Sequence, residues 1–312
     1  MAGFDPNEHR VRCEQYLSHH LGSPVRLLRA ERLQKSTRDA PWRLDVDLDG
    51  TTRSYVLRLD SRNIEHELEM LHAMAPLPIP APRAYGWDPE GRGLGVVSFF
   101  YDFVEGESLL EPMLAGEPWA EALYIDTACA LQSIRREQLS TVNHRLGEGQ
   151  TAADVLHEAY THFGTNPPPL ARAVYTRLLD TMPALPEVRF SNGDLWPDNL
   201  IVHNGRLAGV IDWTWAGFSD PIFEFLLPFF LRPALRGRGI EARYCKRMGF
   251  DPELLPWYHG LELFDSWRWV LHTGQPYEQH TAESLQVGLG QWLEGPISWP
   301  HIPRVSTGEA RN

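Results

Sequence analysis

Between Asn192 and Asp212 the chain carries a pattern that few folds can hold. Asn192-Gly193-Asp194 is followed by Asn199, then by a short apolar run broken at Asn204-Gly205, then by a second apolar run ending in Val210-Ile211-Asp212. An Asn-Gly pair between two apolar runs is a strong local signal for a two-residue β-hairpin. A turn centred on that pair puts residue 199 opposite residue 210, so Asn199 and Asp212 should emerge at the open end of the hairpin, roughly 7 Å apart. An amide oxygen and a carboxylate in that relation suit Mg²⁺, which takes few protein ligands and keeps positions for water and phosphate oxygens. Asp194, on the loop entering the hairpin, is placed to take a proton from a hydroxyl that attacks a metal-held phosphate. Taken singly, Asp194, Asp198 and Asn199 are ordinary turn formers and Asp212 an ordinary cap. In combination the spacing points to phosphoryl transfer.

Charge and cysteine content narrow the classes. Lys plus Arg total 29 against 41 Asp plus Glu, a net charge of -12, which disfavours a nucleic-acid or anionic-membrane surface and is compatible with a cationic ligand. Cys13, Cys129 and Cys245 are isolated, with neither a disulfide framework nor a zinc spacing. The N-terminus lacks an apolar signal core and no run of apolar residues is long enough to span a bilayer. A cytoplasmic protein, monomer or weak dimer, is expected.

The 312 residues suffice for two lobes with separate cores. Residues 5 to 21 read as a short helix. Alternation in Leu44-Asp-Val-Asp-Leu-Asp, the turn signal Asp49-Gly50 and Ser54-Tyr-Val-Leu-Arg-Leu predict a hairpin. A helix from Ile64 to Ala75 ends at a proline-dense connector, and Gly95 to Val104 returns to strand. Beyond Gly106 the pattern turns helical over 119–137, 152–163 and 170–182, and residues 294–312 read as a tail. The expected class is α+β, with a β-rich lobe over residues 1–104 and a larger, mainly helical lobe over 105–312.

These residues resemble the aminoglycoside phosphotransferase and choline kinase family, which has the two-lobed protein-kinase-like fold. The resemblance covers about residues 22–270 and rests on Asn192-Gly193-Asp194-x4-Asn199, standing where the family has His-Gly-Asp-x4-Asn, on Val210-Ile211-Asp212-Trp213 and on Asp220-Pro221. It implies that Asp194 is the catalytic base, that Asn199 and Asp212 hold magnesium, and that Asp220 braces the catalytic loop; on its own, Asp220 before Pro221 is a good helix N-cap. Arg58 stands where the family grips the nucleotide phosphates, usually with Lys. Helical spacing places Glu67 near the inward face and turns Glu65 and Glu69 away, which makes Glu67 the partner for Arg58, with an ordinary surface carboxylate as the other account. The carbonyl of Asp102 and the amide of Val104 match the strand and hinge that bind adenine in the family.

Three departures bear on function. Asn192 replaces a histidine that supports the loop, Arg58 replaces lysine while keeping the charge and a bidentate grip, and the loop over residues 33–40 has no glycine, leaving Lys35, Ser36 or Thr37 to cover phosphates. The acceptor is left open among aminoglycosides or other antibiotics, amino alcohols and sugars. Tyr258, Glu262, Asp265, Trp267 and Trp269 are the candidates for holding it by ion pairing and stacking, against the rival account that this aromatic stripe is core. The expected function is transfer of the γ-phosphate of ATP (or GTP), with Mg²⁺, to a small-molecule hydroxyl. The competing reading is a non-catalytic, pseudokinase-like scaffold.

Overall fold

A computed structural model of the chain describes residues 4–33, 41–60, 63–295 and 299–300. The phosphate-covering loop expected around Lys35, Ser36 and Thr37 and most of the tail lie outside those residues. Along the chain run α1 (Arg10–Leu21), β1 (Val25–Arg32), β2 (Trp42–Leu48), β3 (Thr51–Leu59), α2 (Ile64–Met74), β4 (Ala84–Asp88), β5 (Ser98–Asp102) and β6 (Glu107–Ser108). Next come α3 (Leu110–Ala115), α4 (Pro118–Gln132), α5 (Asn143–Leu146), α6 (Ala152–Thr161), α7 (Pro169–Asp180) and β7 (Arg189–Ser191). The remainder is β8 (Leu200–His203), β9 (Arg206–Val210), β10 (Gly217–Ser219), α8 (Pro221–Leu231), α9 (Ile240–Met248), α10 (Leu255–Thr273) and α11 (Ala282–Glu294). The architecture is the α+β one the sequence predicts, in two compact units. One comprises residues 1–109, 136–145 and 198–216, the other 110–135, 146–197 and 217–312.

The first unit is built on an antiparallel sheet of order β1-β2-β3-β5-β4. Strand period two explains its core: Trp42, Leu44 and Val46 of β2 and Tyr55 and Leu57 of β3 bury one face, where Cys13, Tyr16 and Leu17 of α1 cover it together with Phe100. Asp49 and Gly50 both have positive φ, 52° and 78°, as a two-residue β-hairpin turn demands. On α2, Glu65 and Glu69 face outward as expected, and both pair with Arg145.

The β8–β9 hairpin turns at Asn204 and Gly205, at φ 51° and 70°, but its register differs from the simple expectation. Leu200, not Asn199, pairs with Val210, and a bulge shifts the ladder between Ile201 opposite Gly209 and Val202 opposite Leu207. Gly209 sits at the bulge, where a Cβ would approach both methyls of Val104 to 3.0 Å. Asn199 therefore sits beside Ile211, whose amide donates to the Asn199 carbonyl at 2.9 Å.

In the second unit helices dominate around the two-stranded β7–β10 ribbon. Asp220 caps α8, accepting from the amides of Ile222 and Phe223 at 3.0 Å each, with Pro221 at the first helical position. The long α10 carries Gly260 mid-helix because α11 approaches it closely: a Cβ there would lie 2.2 Å from Trp292 Cε2. The indole of Trp292 is itself fixed, donating to the Pro256 carbonyl at 2.8 Å. His280 is buried and its ring stacks on Phe230 with centroids 4.4 Å apart. Burial pushes its pKa down to about 4.

Gly260→Ala gains helix propensity of about 1 kcal/mol yet overpacks against a rigid indole, so it should destabilise by about 1–2 kcal/mol net in urea denaturation; a stabilised variant would contradict the close approach. Because the folded state holds His280 neutral, the unfolded chain binds an extra proton as pH falls from 6.5 towards 4. Stability should therefore drop through that window by roughly 2–3 kcal/mol. His280→Gln should flatten that pH dependence.

Candidate active site

Two cavities, one in each unit, hold most of the residues singled out by the sequence. The first unit encloses about 290 Å³ lined by Val56, Arg58, Glu67, Tyr101, Val104, Asn199, Ile201, Ile211 and Asp212 among others. Arg58 enters from β3, Glu67 from α2, and Asn199 and Asp212 from the two ends of the β8–β9 hairpin. Apolar side chains form a slot, and the polar groups are gathered beyond it.

Arg58 Nε lies 2.9 Å from Glu67 Oε2, and both side chains are almost fully buried, at 12% and 2% exposure. Burial works against the charged guanidinium, but Glu67, Tyr101 and Asp212 together outweigh it and hold the Arg58 pKa up. Burial pushes the Glu67 carboxyl upward, with Arg58 pulling it down and Asp212 adding to the rise. Asp212 has φ 57°, a left-handed conformation that side chains other than glycine adopt at a cost, often at sites of function. Asp102 closes β5, and its carboxylate accepts from Tyr85 at 3.0 Å, outside the cavity lining.

The donor set at this cavity fits one small hard cation: a neutral amide oxygen and one carboxylate, with the facing Arg58 placed for anionic oxygens. No group of three or more His, Cys, Asp or Glu side chains arranged for a metal occurs among the described residues.

Asp194 belongs to the second unit. Its loop turns at Gly193, φ 78°, a conformation natural to glycine. Buried Asn192 donates from Nδ2 to the Asp194 carbonyl at 2.9 Å, so the amide ties the loop as a support residue should. The oxygens of Asp220 cap α8 and accept from Tyr258 at 2.8 Å and from the amide of Ala152. The bracing falls to Glu224, which sequence reasoning missed. It accepts from Ser191 Oγ at 2.9 Å, the Leu195 amide at 3.3 Å and Ser219 Oγ at 3.4 Å. A lone acid in the apolar run of α8 was the available signal, because a buried carboxylate needs partners.

A cavity of about 360 Å³ opens beside Asp194, lined also by Glu224, Glu262, Asp265, Ser266, Trp269 and Tyr277. Glu262 is pushed up to about 8, by burial first and then by Asp265, against a hydrogen bond from Ser266. Asp265 is raised by burial and opposed by its ion pair with Arg268. Of the expected acceptor residues, Glu262, Asp265 and Trp269 are here. Tyr258 and Trp267 are not: both are wholly buried, Tyr258 on Asp220 and Trp267 against Phe163 and Phe264. The aromatic stripe of α10 is core at those positions. The half-buried aromatic wall is made by Trp269 and by Tyr277, whose rings pack with centroids 5.0 Å apart. Tyr277 lies in a connector without periodicity and gave no sequence signal.

Removing one member of the buried ion pair strands the other. Glu67→Ala should cost about 3–5 kcal/mol of stability, while Arg58→Met with Glu67→Leu should recover most of it. Chemical denaturation of the three proteins checks this, and a mild Glu67→Ala would contradict the pairing.

A family model described as the phosphotransferase enzyme family matches residues 43–279. Hygromycin-B 4-O-kinase of Escherichia coli is 40% identical over 70 residues, 22% of this chain, and the match spans only 20% of that relative's length. Among solved structures, aminoglycoside phosphotransferase APH(4)-Ia is similar at a TM-score of 0.64 and 18% identity, over 91% of this chain and 98% of that one. A mutant form of that protein is known in a ternary complex with ADP and hygromycin B. Choline kinase LicA from Streptococcus pneumoniae is similar at a TM-score of 0.58 and 16% identity, over 92% and 99%. The protein-kinase-like fold expected from the motifs is the fold these neighbours share, and the chain belongs to the phosphotransferase enzyme family.

Proposed function

We propose that the protein is a small-molecule kinase that moves the γ-phosphate of ATP, or GTP, to a hydroxyl of a cationic acceptor. The observation that carries this reading is the gathering of Arg58, Glu67, Asn199 and Asp212 around one apolar slot. The base of the slot, between Val56, Ile201 and Ile211, suits a purine ring, and the main chain at Asp102 and Val104 suits its edge. Arg58, oriented by Glu67, grips phosphate oxygens. Asn199 and Asp212 would hold Mg²⁺, which supplies charge neutralisation on the transferring phosphoryl group.

Asp194 takes the proton of the acceptor hydroxyl as its oxygen bonds to the γ-phosphorus. The bond from that phosphorus to the β–γ bridging oxygen breaks, and the nucleoside diphosphate leaves. Asn192 and Glu224 act on this step only by holding the loop.

The lining of the acceptor cavity supports a cationic class. Among the described residues, Asp194, Glu224, Glu262 and Asp265 line it without a Lys or Arg, while Trp269 and Tyr277 offer a flat wall. Such a surface favours amines on a hydroxyl-rich body, as in an amino sugar. The stretch shared with hygromycin-B 4-O-kinase supports the same class. No helix among the described residues is long and apolar enough to cross a membrane, and we place the reaction in the cytoplasm. The scaffold alternative drew on Asn192, Arg58 and the glycine-free loop; the hydrogen bond from Asn192 to the Asp194 carbonyl and the pairing of Arg58 with Glu67 favour the catalytic reading.

The test is acceptor-stimulated, Mg²⁺-dependent release of ADP or GDP over a panel of amino sugars, macrolides, amino alcohols and neutral sugars. Amino sugars should stimulate most, and Asp194→Asn should lower kcat by at least about 10²-fold while nucleotide still binds. Full turnover by that variant would overturn the reading.

A further inference from the structure

Asp212 stands in a left-handed conformation, φ 57°, and such a backbone persists only where its surroundings hold it. The segment beyond Asp212 is held from several sides within the first unit. Buried Trp213 donates from its indole to the Val210 carbonyl at 2.9 Å. Arg58 reaches Thr214 Oγ1 at 3.4 Å, and Asn63 Nδ2 reaches the Thr214 carbonyl at 3.5 Å. Both of those contacts are long. The tight one comes from His66, whose Nε2 lies 2.8 Å from the Ala216 carbonyl. A carbonyl only accepts, so Nε2 carries the hydrogen.

His66 precedes Glu67 on α2. One turn of helix therefore grips two things at once: Arg58, through Glu67, and the 213–216 segment, through His66. Resting on the kinase reading above, we propose that His66 is a positioning residue, which fixes the 213–216 segment so that Asp212 presents its carboxylate to the nucleotide-bound magnesium. The contact acts through the main chain, so it needs a side chain that can donate a hydrogen bond, not a charged one.

Calorimetric binding of the ATP analogue AMP-PNP, with and without Mg²⁺, tests this on wild type, His66→Phe and His66→Gln, with melting temperatures as the check on folding. His66→Phe keeps the ring and loses the donor; it should bind the metal-free analogue like wild type and lose about fivefold of the strengthening that Mg²⁺ gives, the worth of one hydrogen bond. His66→Gln should restore it. Unchanged Mg²⁺ strengthening in His66→Phe, no rescue by glutamine, or equal loss with and without metal would each overturn the positioning role. Wild-type protein without Mg²⁺-strengthened binding would instead contradict the kinase reading and the role built on it.

Discussion

The buried ion pair of Arg58 and Glu67 constrains more of this molecule than any other contact. Two charges taken out of water cost several kcal/mol each unless they meet in good geometry, so β3 and α2 have little freedom to move apart. With α2 fixed, its outward acids Glu65 and Glu69 meet Arg145, and His66 meets the segment beyond Asp212. The pair stabilises less as a bond than as a restriction on which arrangement of strand and helix is tolerable. A guanidinium so placed lacks the water that normally dilutes its field, which strengthens its hold on an anionic ligand.

Charge is sorted between the cavities. The one in the first unit presents Arg58 together with an amide and acids, a mixed set suited to an anion that brings a metal. The one beside Asp194 presents acids and aromatic rings. The acids Glu262 and Asp265 are tolerated side by side because burial raises both pKa values, Asp265 raises that of Glu262 further, and Arg268 offsets the charge of Asp265. On the proposed reading, an amine bound there would relieve that crowding.

Much of this is legible in the sequence wherever one segment decides the outcome. The Asn204-Gly205 turn, the Asp49-Gly50 turn, the inward face of α2 and the cap at Asp220 all depend on residues within a few positions of each other. What was not legible depends on distant chain. The bulge in β8–β9 arises where Gly209 meets Val104, and no local pattern sets that register. Tyr258 and Trp267 share an aromatic stripe with Trp269, and only the packing of Phe163 and Phe264 shows which of them is core. Glu224 looks like an intruder in an apolar helix until Ser191, Leu195 and Ser219 close around it.

The central claim, transfer of a phosphoryl group to an acceptor hydroxyl, is tested most directly by ³¹P NMR of the reaction of wild-type protein, Mg²⁺-ATP and an amino sugar. The account predicts that the γ-phosphorus resonance is replaced by a phosphomonoester resonance coupled to a sugar proton, with one ADP formed per ester. ADP accompanied only by inorganic phosphate, or an unchanged ATP spectrum with every acceptor class, would contradict it.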